Sequence, residues 1–219
     1  MELQQTQPLY QQVYEQMKKL ILTGELQPGS KLSVTRLAEE YKISRTPLRE
    51  ALRQLQKEGL LRQEQNRTTV VELNKTDFEQ LCSCRLILEK EVIKLAVNEI
   101  TDSTLNKMED LLNKSKAYIR DGDNLKNFLE VNTKFHELII YSISNKHLTD
   151  LLNHVRSLLL IYRANIIHNK MDNSVAIIQE HENIFKALKL RDTAKAVKSI
   201  EHHLQQDKLR GDNIFRKYL

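Results

Sequence analysis

Apolar residues recur at helical spacing along almost the whole chain, and the pattern breaks in only a few places. Leu9, Val13, Met17, Leu20 and Ile21 form a first stripe that stops at Thr23-Gly24, and Gln27-Pro28-Gly29 marks a turn. Ser33 is placed to cap a short second helix holding Leu37, Ala38 and Tyr41. Lys42-Ile43 turn the chain, and Ser44 is placed to cap a third helix. The inner face of that helix is Leu48, Ala51, Leu52 and Leu55, and Gly59 suits its C-terminal cap. Pro47 falls in its first turn, where a missing N–H costs little. Residues 60–64 and 68–71 then read as two strands around Gln65-Asn66-Arg67, a small hairpin or wing.

From Thr76 onward the pattern is helical throughout. Six stretches are expected, over 77–99, 102–120, 124–143, 146–168, 173–190 and 192–216. The breaks fall at polar clusters such as Asp121-Gly122-Asp123 and Asn169-Lys170-Met171-Asp172. No strand alternation and no glycine-rich phosphate loop interrupts them. The expected fold is mainly α: a winged helix-turn-helix over 1–73 and a six-helix antiparallel bundle over 74–219.

Composition agrees: 219 residues, with only five Gly, three Pro and no Trp, suit a helical chain with room for two domains. No apolar run approaches about 18 residues, so no membrane span is expected. The first residues lack the charged and apolar blocks of a signal peptide, and a cytoplasmic location is expected. Cys82 and Cys84 read as ordinary reduced thiols.

Charge sharpens the picture at one place. The formal net charge is +5, and residues 42–67 alone hold seven basic against three acidic side chains. Arg45, Thr46 and Arg49 share the exposed side of the third helix, near its start. A short helix with arginines at its N-terminal end suits the DNA major groove.

The bundle stripes carry polar residues where apolar ones are expected. Arg85 sits between Leu81 and Leu88, and Asn132 and His136 lie within a stripe of Phe128, Phe135, Ile139 and Ile140. His181 is flanked by Ile178 and Phe185, and His203 shares a face with Ile200 and Leu204. A lone inward histidine is usually a hydrogen-bonded core residue. Three of them and an amide on three helices invite a shared solution, since each unpaired buried polar group costs about 1–3 kcal/mol. One divalent cation held by His136, His181, His203 and the Asn132 oxygen would satisfy all four. Neutral imidazoles suit zinc, nickel or a similar transition metal. Arg85 requires an anionic partner. Glu89, one turn on, is one choice; a carboxylate ligand shared with the metal is the other. Arg156, Arg163 and Tyr162, beside the stripe of the fourth bundle helix, are further pocket candidates.

Several segments carry a family resemblance. Residues 22–32 (Leu-Thr-Gly-Glu-Leu-Gln-Pro-Gly-Ser-Lys-Leu), Leu37-Ala38, residues 43–52 (Ile-Ser-Arg-Thr-Pro-Leu-Arg-Glu-Ala-Leu) and Glu58-Gly59-Leu60 resemble the GntR family of bacterial transcription regulators. The resemblance implies that Arg45 and Arg49 contact operator bases and phosphates, that Thr46 assists with Ser44 beside it, and that the wing, with Arg67, enters the minor groove. The chain departs from the family where Thr68 replaces a wing glycine and Lys42 a glycine of the turn. Thr35, with Arg36 next to it, stands where some members have a base-reading arginine.

Arg85-Leu-Ile-Leu-Glu89, Asn132-Thr-Lys-Phe-His136, Glu180-His181 and His203-Leu204 resemble the FCD effector domain of FadR-type GntR regulators, in the six-helix, VanR-like group. That resemblance implies a divalent ion on Asn132, His136, His181 and His203, with Asn in place of the commoner Asp. It also implies a small organic acid as effector. The expected function is a dimeric regulator, acting as a repressor on palindromic operator DNA, because one recognition helix reads only a half-site. Two alternatives stand beside it: the ion itself is the signal, or the site is a metal hydrolase. The hydrolase lacks an evident general base, since Asn132 cannot take a proton.

Overall fold

A computed structural model describes residues 7–64, 67–72, 74–120, 125–167 and 173–218, and within these the side chains of 120, 125–126, 161, 163–167 and 214–218 are left aside. The chain divides into two compact units. One comprises residues 1–78 with 157–168, and the other residues 79–156 with 169–219.

The first unit runs α1 (Leu9–Leu22), β1 (Lys31–Leu32), α2 (Val34–Glu40), α3 (Arg45–Lys57), β2 (Leu61–Glu64) and β3 (Arg67–Val70). Three helices and a small antiparallel sheet of order β1-β3-β2 make a winged helix-turn-helix. Met17, Ile21, Leu48, Leu55 and Leu60 form its core. Full burial of each such side chain contributes roughly 1.5–3 kcal/mol. The helix ends follow local rules. The Ser33 hydroxyl accepts from the Arg36 N–H, and α3 closes with Gly59 at φ 75° while the Leu60 N–H donates to Leu55 O. A methyl group on Gly59 would stand 2.8 Å from the Leu158 side chain.

Two features differ from the sequence reading. Lys31 and Leu32 pair with Thr69 and Thr68, a third strand too short to leave an alternating pattern. Arg67 begins β3, opposite Glu64, rather than lying in the turn; Gln65 and Asn66 lie outside the described residues. Ser44 does occupy the N-cap position of α3, but its hydroxyl makes no capping bond.

Six long helices follow: α4 (Lys75–Glu99), α5 (Asp102–Arg120), α6 (Leu125–Ile140), α7 (Lys146–Ile167), α8 (Ser174–Lys189) and α9 (Thr193–Tyr218). They match the six expected stretches to within a few residues. Ile93, Met108, Phe135, Ile140, Leu152 and Leu188 centre the core of the second unit. Both cysteines are free, and burial pushes the Cys82 thiol up to about 11. None of the described helices is long and apolar enough to cross a membrane.

Candidate DNA-reading face and metal centre

In the first unit, the inward stripe of α3 leaves Arg45, Thr46 and Arg49 exposed on its outer side, with Ser44 exposed at the cap. Arg49, Thr35 and Arg67 meet around one cleft between α3, the start of α2 and the wing. Arg45 and Arg36 are exposed outside that lining. Thr68, which replaces the wing glycine, is a buried strand residue with ordinary sheet pairing. Lys42 adopts the left-handed φ of 52° that the glycine of the turn would favour.

Tyr162 belongs to this unit. Its hydroxyl donates to Asp77 Oδ2 at 2.8 Å, it contacts the Asn74 backbone, and its ring packs on Phe78 at 5.3 Å. The sequence reading grouped Tyr162 with the effector residues; its hydroxyl bonds Asn74 and Asp77 where α4 begins. The side chain of Arg163 lies outside the described residues.

The second unit buries His136, His181 and His203 from α6, α8 and α9. Their candidate ligand nitrogens all lie within 4.8 Å of one another. His181 is oriented by stacking on Phe135, with ring centroids 4.4 Å apart and 11° between planes. His203 Nδ1 lies 2.7 Å from Glu180 Oε2, and His136 Nδ1 lies 3.6 Å from Glu89 Oε2. The Glu180 carboxylate at hydrogen-bond distance puts the His203 proton on Nδ1 and a lone pair on Nε2, which also stands 3.6 Å from Asp207 Oδ2, and Glu89 on the Nδ1 side of His136 favours the same tautomer there. The two Nε2 atoms face each other at 3.2 Å. Burial and then the charge of Arg156 hold His136 well below the usual histidine range, so it is neutral.

This donor set fits a divalent ion. Two imidazoles on one tetrahedral zinc, with bonds of about 2.0–2.1 Å, stand about 3.3 Å apart. Asn132 sits one turn before His136 on α6, and its Oδ1 is buried without a hydrogen-bond partner. A cation would relieve both the facing lone pairs and the orphaned carbonyl.

Around the histidines runs an ionic network in which Arg85, Glu89 and Glu180 are buried and Arg156, Asp207 and Arg210 half-buried. Arg85 Nε donates to Glu89 at 2.7 Å and Arg85 Nη1 to Asp207 at 3.0 Å, while Arg85 Nη2 is buried with no partner among the described residues. Arg156 donates to Glu89 at 2.8 Å. Arg210 bonds both oxygens of Glu180 and one of Asp207. Burial works to raise the Glu89 carboxyl, but Arg85 and Arg156 outweigh it and hold the group well below the usual carboxylate range. The Arg85–Glu89 pair is the i, i+4 contact the spacing suggested. Asp207 and Arg210 escaped the sequence reading, although 203, 207 and 210 share one helical face.

Residues 9–71 match the gntR family of bacterial regulatory proteins, and residues 80–206 match the FCD domain. The chain is 32% identical over 202 residues to the uncharacterized HTH-type transcriptional regulator YdhC of Bacillus subtilis, covering 91% of this chain and 89% of the relative. It is also 32% identical over 206 residues to the HTH-type transcriptional regulator LutR of the same species, covering 84% and 93%. Among solved structures, Escherichia coli McbR/YncC superposes with a TM-score of 0.82 at 23% identity, over 96% of this chain and 100% of that one, which is a likeness of fold. These relatives are transcriptional regulators, and the hydrolase alternative falls. The chain belongs to the gntR family of bacterial regulatory proteins, in the group that carries an FCD domain.

Proposed function

We propose that this regulator binds palindromic operator DNA as a homodimer and represses from it, with Arg45 and Arg49 of α3 reading bases. Ser44, Thr46, Thr35, Arg36 and Arg67 support them on the same face. In this reading, residues 1–73 bind DNA and 74–219 sense the signal. The sensing part holds a divalent transition metal, zinc or nickel, on His136, His181, His203 and the Asn132 oxygen. One observation carries the metal reading: two Nε2 atoms face each other while carboxylates face both Nδ1 atoms.

When bound, the ion supplies a Lewis-acidic position for an anionic ligand. The chain's own residues do the rest. Glu180 and Glu89 hold the imidazoles in the ligating tautomer, and the second unit keeps them dry. All four donors are neutral, so the charge of the ion is not cancelled by its ligands. That favours an anionic effector, a small carboxylate that the unpartnered Nη2 of Arg85 would meet. Tyr162 is engaged with Asp77 and Asn74, so the effector reading rests on Arg85. Relatives of the chain include the gluconate operon transcriptional repressor of Bacillus licheniformis, 26% identical over 200 residues, which supports repression as the mode of action.

A second reading has one observation in its favour. Glu89 and Asp207 already occupy Arg85 at Nε and Nη1, as they would if the ion alone were the signal. A thermal-shift screen of small carboxylic acids, with and without chelator, separates the two. Acid sensing predicts acids that stabilise the metal-loaded chain and do nothing after chelation. Stabilisation by zinc or nickel alone, with no acid adding to it, supports metal sensing. Equal metal content by elemental analysis in a His136→Ala, His181→Ala double variant would sink both.

A further inference from the structure

The cleft between α3, the start of α2 and the wing encloses about 600 Å³. Four cations line it: Lys31, Arg49, Arg53 and Arg67; no acidic residue does. Among the described residues none of the four is in an ion pair, although Arg62 and Glu64 pair elsewhere on the wing. On its wall Gln56 of α3 donates to Gln63 of β2 at 3.2 Å, and Leu52 is buried in the core behind. Lys31 enters through β1, whose pairing with β3 puts it opposite Thr69 on the wing sheet. Arg53 lies one turn beyond Arg49 and two beyond Arg45, farther from the helix tip.

We propose that one strand of the DNA backbone runs through this cleft and that Lys31 and Arg53 take its phosphates. The proposal rests on the DNA-binding reading and adds to it two residues outside the recognition set. With α3 in the major groove and the wing in the adjacent minor groove, as the family resemblance implies, the two straddle the strand that separates the grooves. The surface between helix and hairpin therefore faces phosphates and not base edges. Unpaired cations with no acid among them are what a polyanion requires there. Such contacts fix register and affinity without reading sequence.

The test is the salt dependence of binding, measured on the full chain by fluorescence anisotropy with a labelled duplex of mixed sequence. Each phosphate contact adds about 0.9 to the steepness of log affinity against log salt, between about 50 and 200 mM. Arg53→Gln and Lys31→Gln should each lower the steepness by about one, and the double variant by about two. Lys19→Gln removes the same charge from α1, outside the cleft, and should leave it nearly unchanged. Thermal melts of each variant confirm folding. Unchanged steepness in folded Arg53→Gln and Lys31→Gln, with a steep wild type, overturns the proposal and leaves DNA binding intact. A wild type that shows no salt-dependent binding overturns both.

Discussion

Arginine does opposite work in the two units. On the first, Arg45, Arg49 and Arg53 form a stripe at i, i+4 and i+8 along α3, all exposed. In the second, Arg85, Arg156 and Arg210 are each tied to carboxylates within 3.0 Å. Exposed unpaired guanidinium groups keep their hydration and can trade it for a partner at little cost. Buried ones must be matched inside the fold, because desolvation of a lone charge costs several kcal/mol. The location of the compensating carboxylates thus separates cations kept for a partner from cations that hold the fold.

The sharpest way to break that contrast is to remove one arginine from each set. Arg85→Ala leaves the buried Glu89 and the half-buried Asp207 each with one remaining arginine. The expected loss is about 3 kcal/mol of stability, the low end for a broken buried pair. Urea denaturation of the full chain measures it. A loss under about 0.5 kcal/mol, the range of an ordinary surface change, would mean that the network contributes nothing to the fold.

Arg49→Ala is the opposite case. Stability should stay within about 0.5 kcal/mol of the parent. Operator affinity should fall by about 1–3 kcal/mol, roughly five- to 150-fold, with relaxed discrimination between sequences. Gel shift on operator and mismatched DNA reads both quantities. Full retention of specific binding would remove Arg49 from the reading face.

The two units also differ in how much the sequence disclosed. The tip of α3 was legible because a cap, a proline in the first turn and an apolar stripe all agree on where the helix starts and which side faces out. The three histidines and Asn132 were legible for the contrary reason: they interrupt stripes that should be apolar. Asp207 and Arg210 were not singled out, and Glu180 entered only as part of the Glu180-His181 motif, with no role of its own. Each sits at the polar edge of an amphipathic helix, where a charge is ordinary, and only packing turns that edge inward. The β1 strand is two residues long, which leaves no period to detect. Tyr162 looked like a pocket residue because it follows the apolar stripe of α7; its hydroxyl bonds to Asn74 and Asp77 are long-range contacts that no local pattern encodes.

The smallest expected effect comes from a motif that both units share. α2 and α8 end in the same left-handed cap, with Lys42 at φ 52° and Arg191 at φ 53°, and in each the following N–H closes back on the helix. The conformation costs a side-chain-bearing residue about 1–2 kcal/mol relative to the right-handed region. Glycine removes that cost but gains back about 0.4–1 kcal/mol of freedom in the unfolded chain. Among the described residues the Lys42 side chain makes no hydrogen bond or ion pair, so Lys42→Gly should stabilise by a few tenths to about 1 kcal/mol. Arg191 is different, since its Nη1 donates to Val97 O at 2.8 Å. That bond contributes about 1 kcal/mol, more if charge-assisted, which cancels the gain in Arg191→Gly. Urea midpoints should therefore rise for the first variant and stay level or fall for the second. Equal gains in both would show that the Arg191 bond to Val97 adds nothing to stability, and that a cation of the second unit tied to the fold need not hold it.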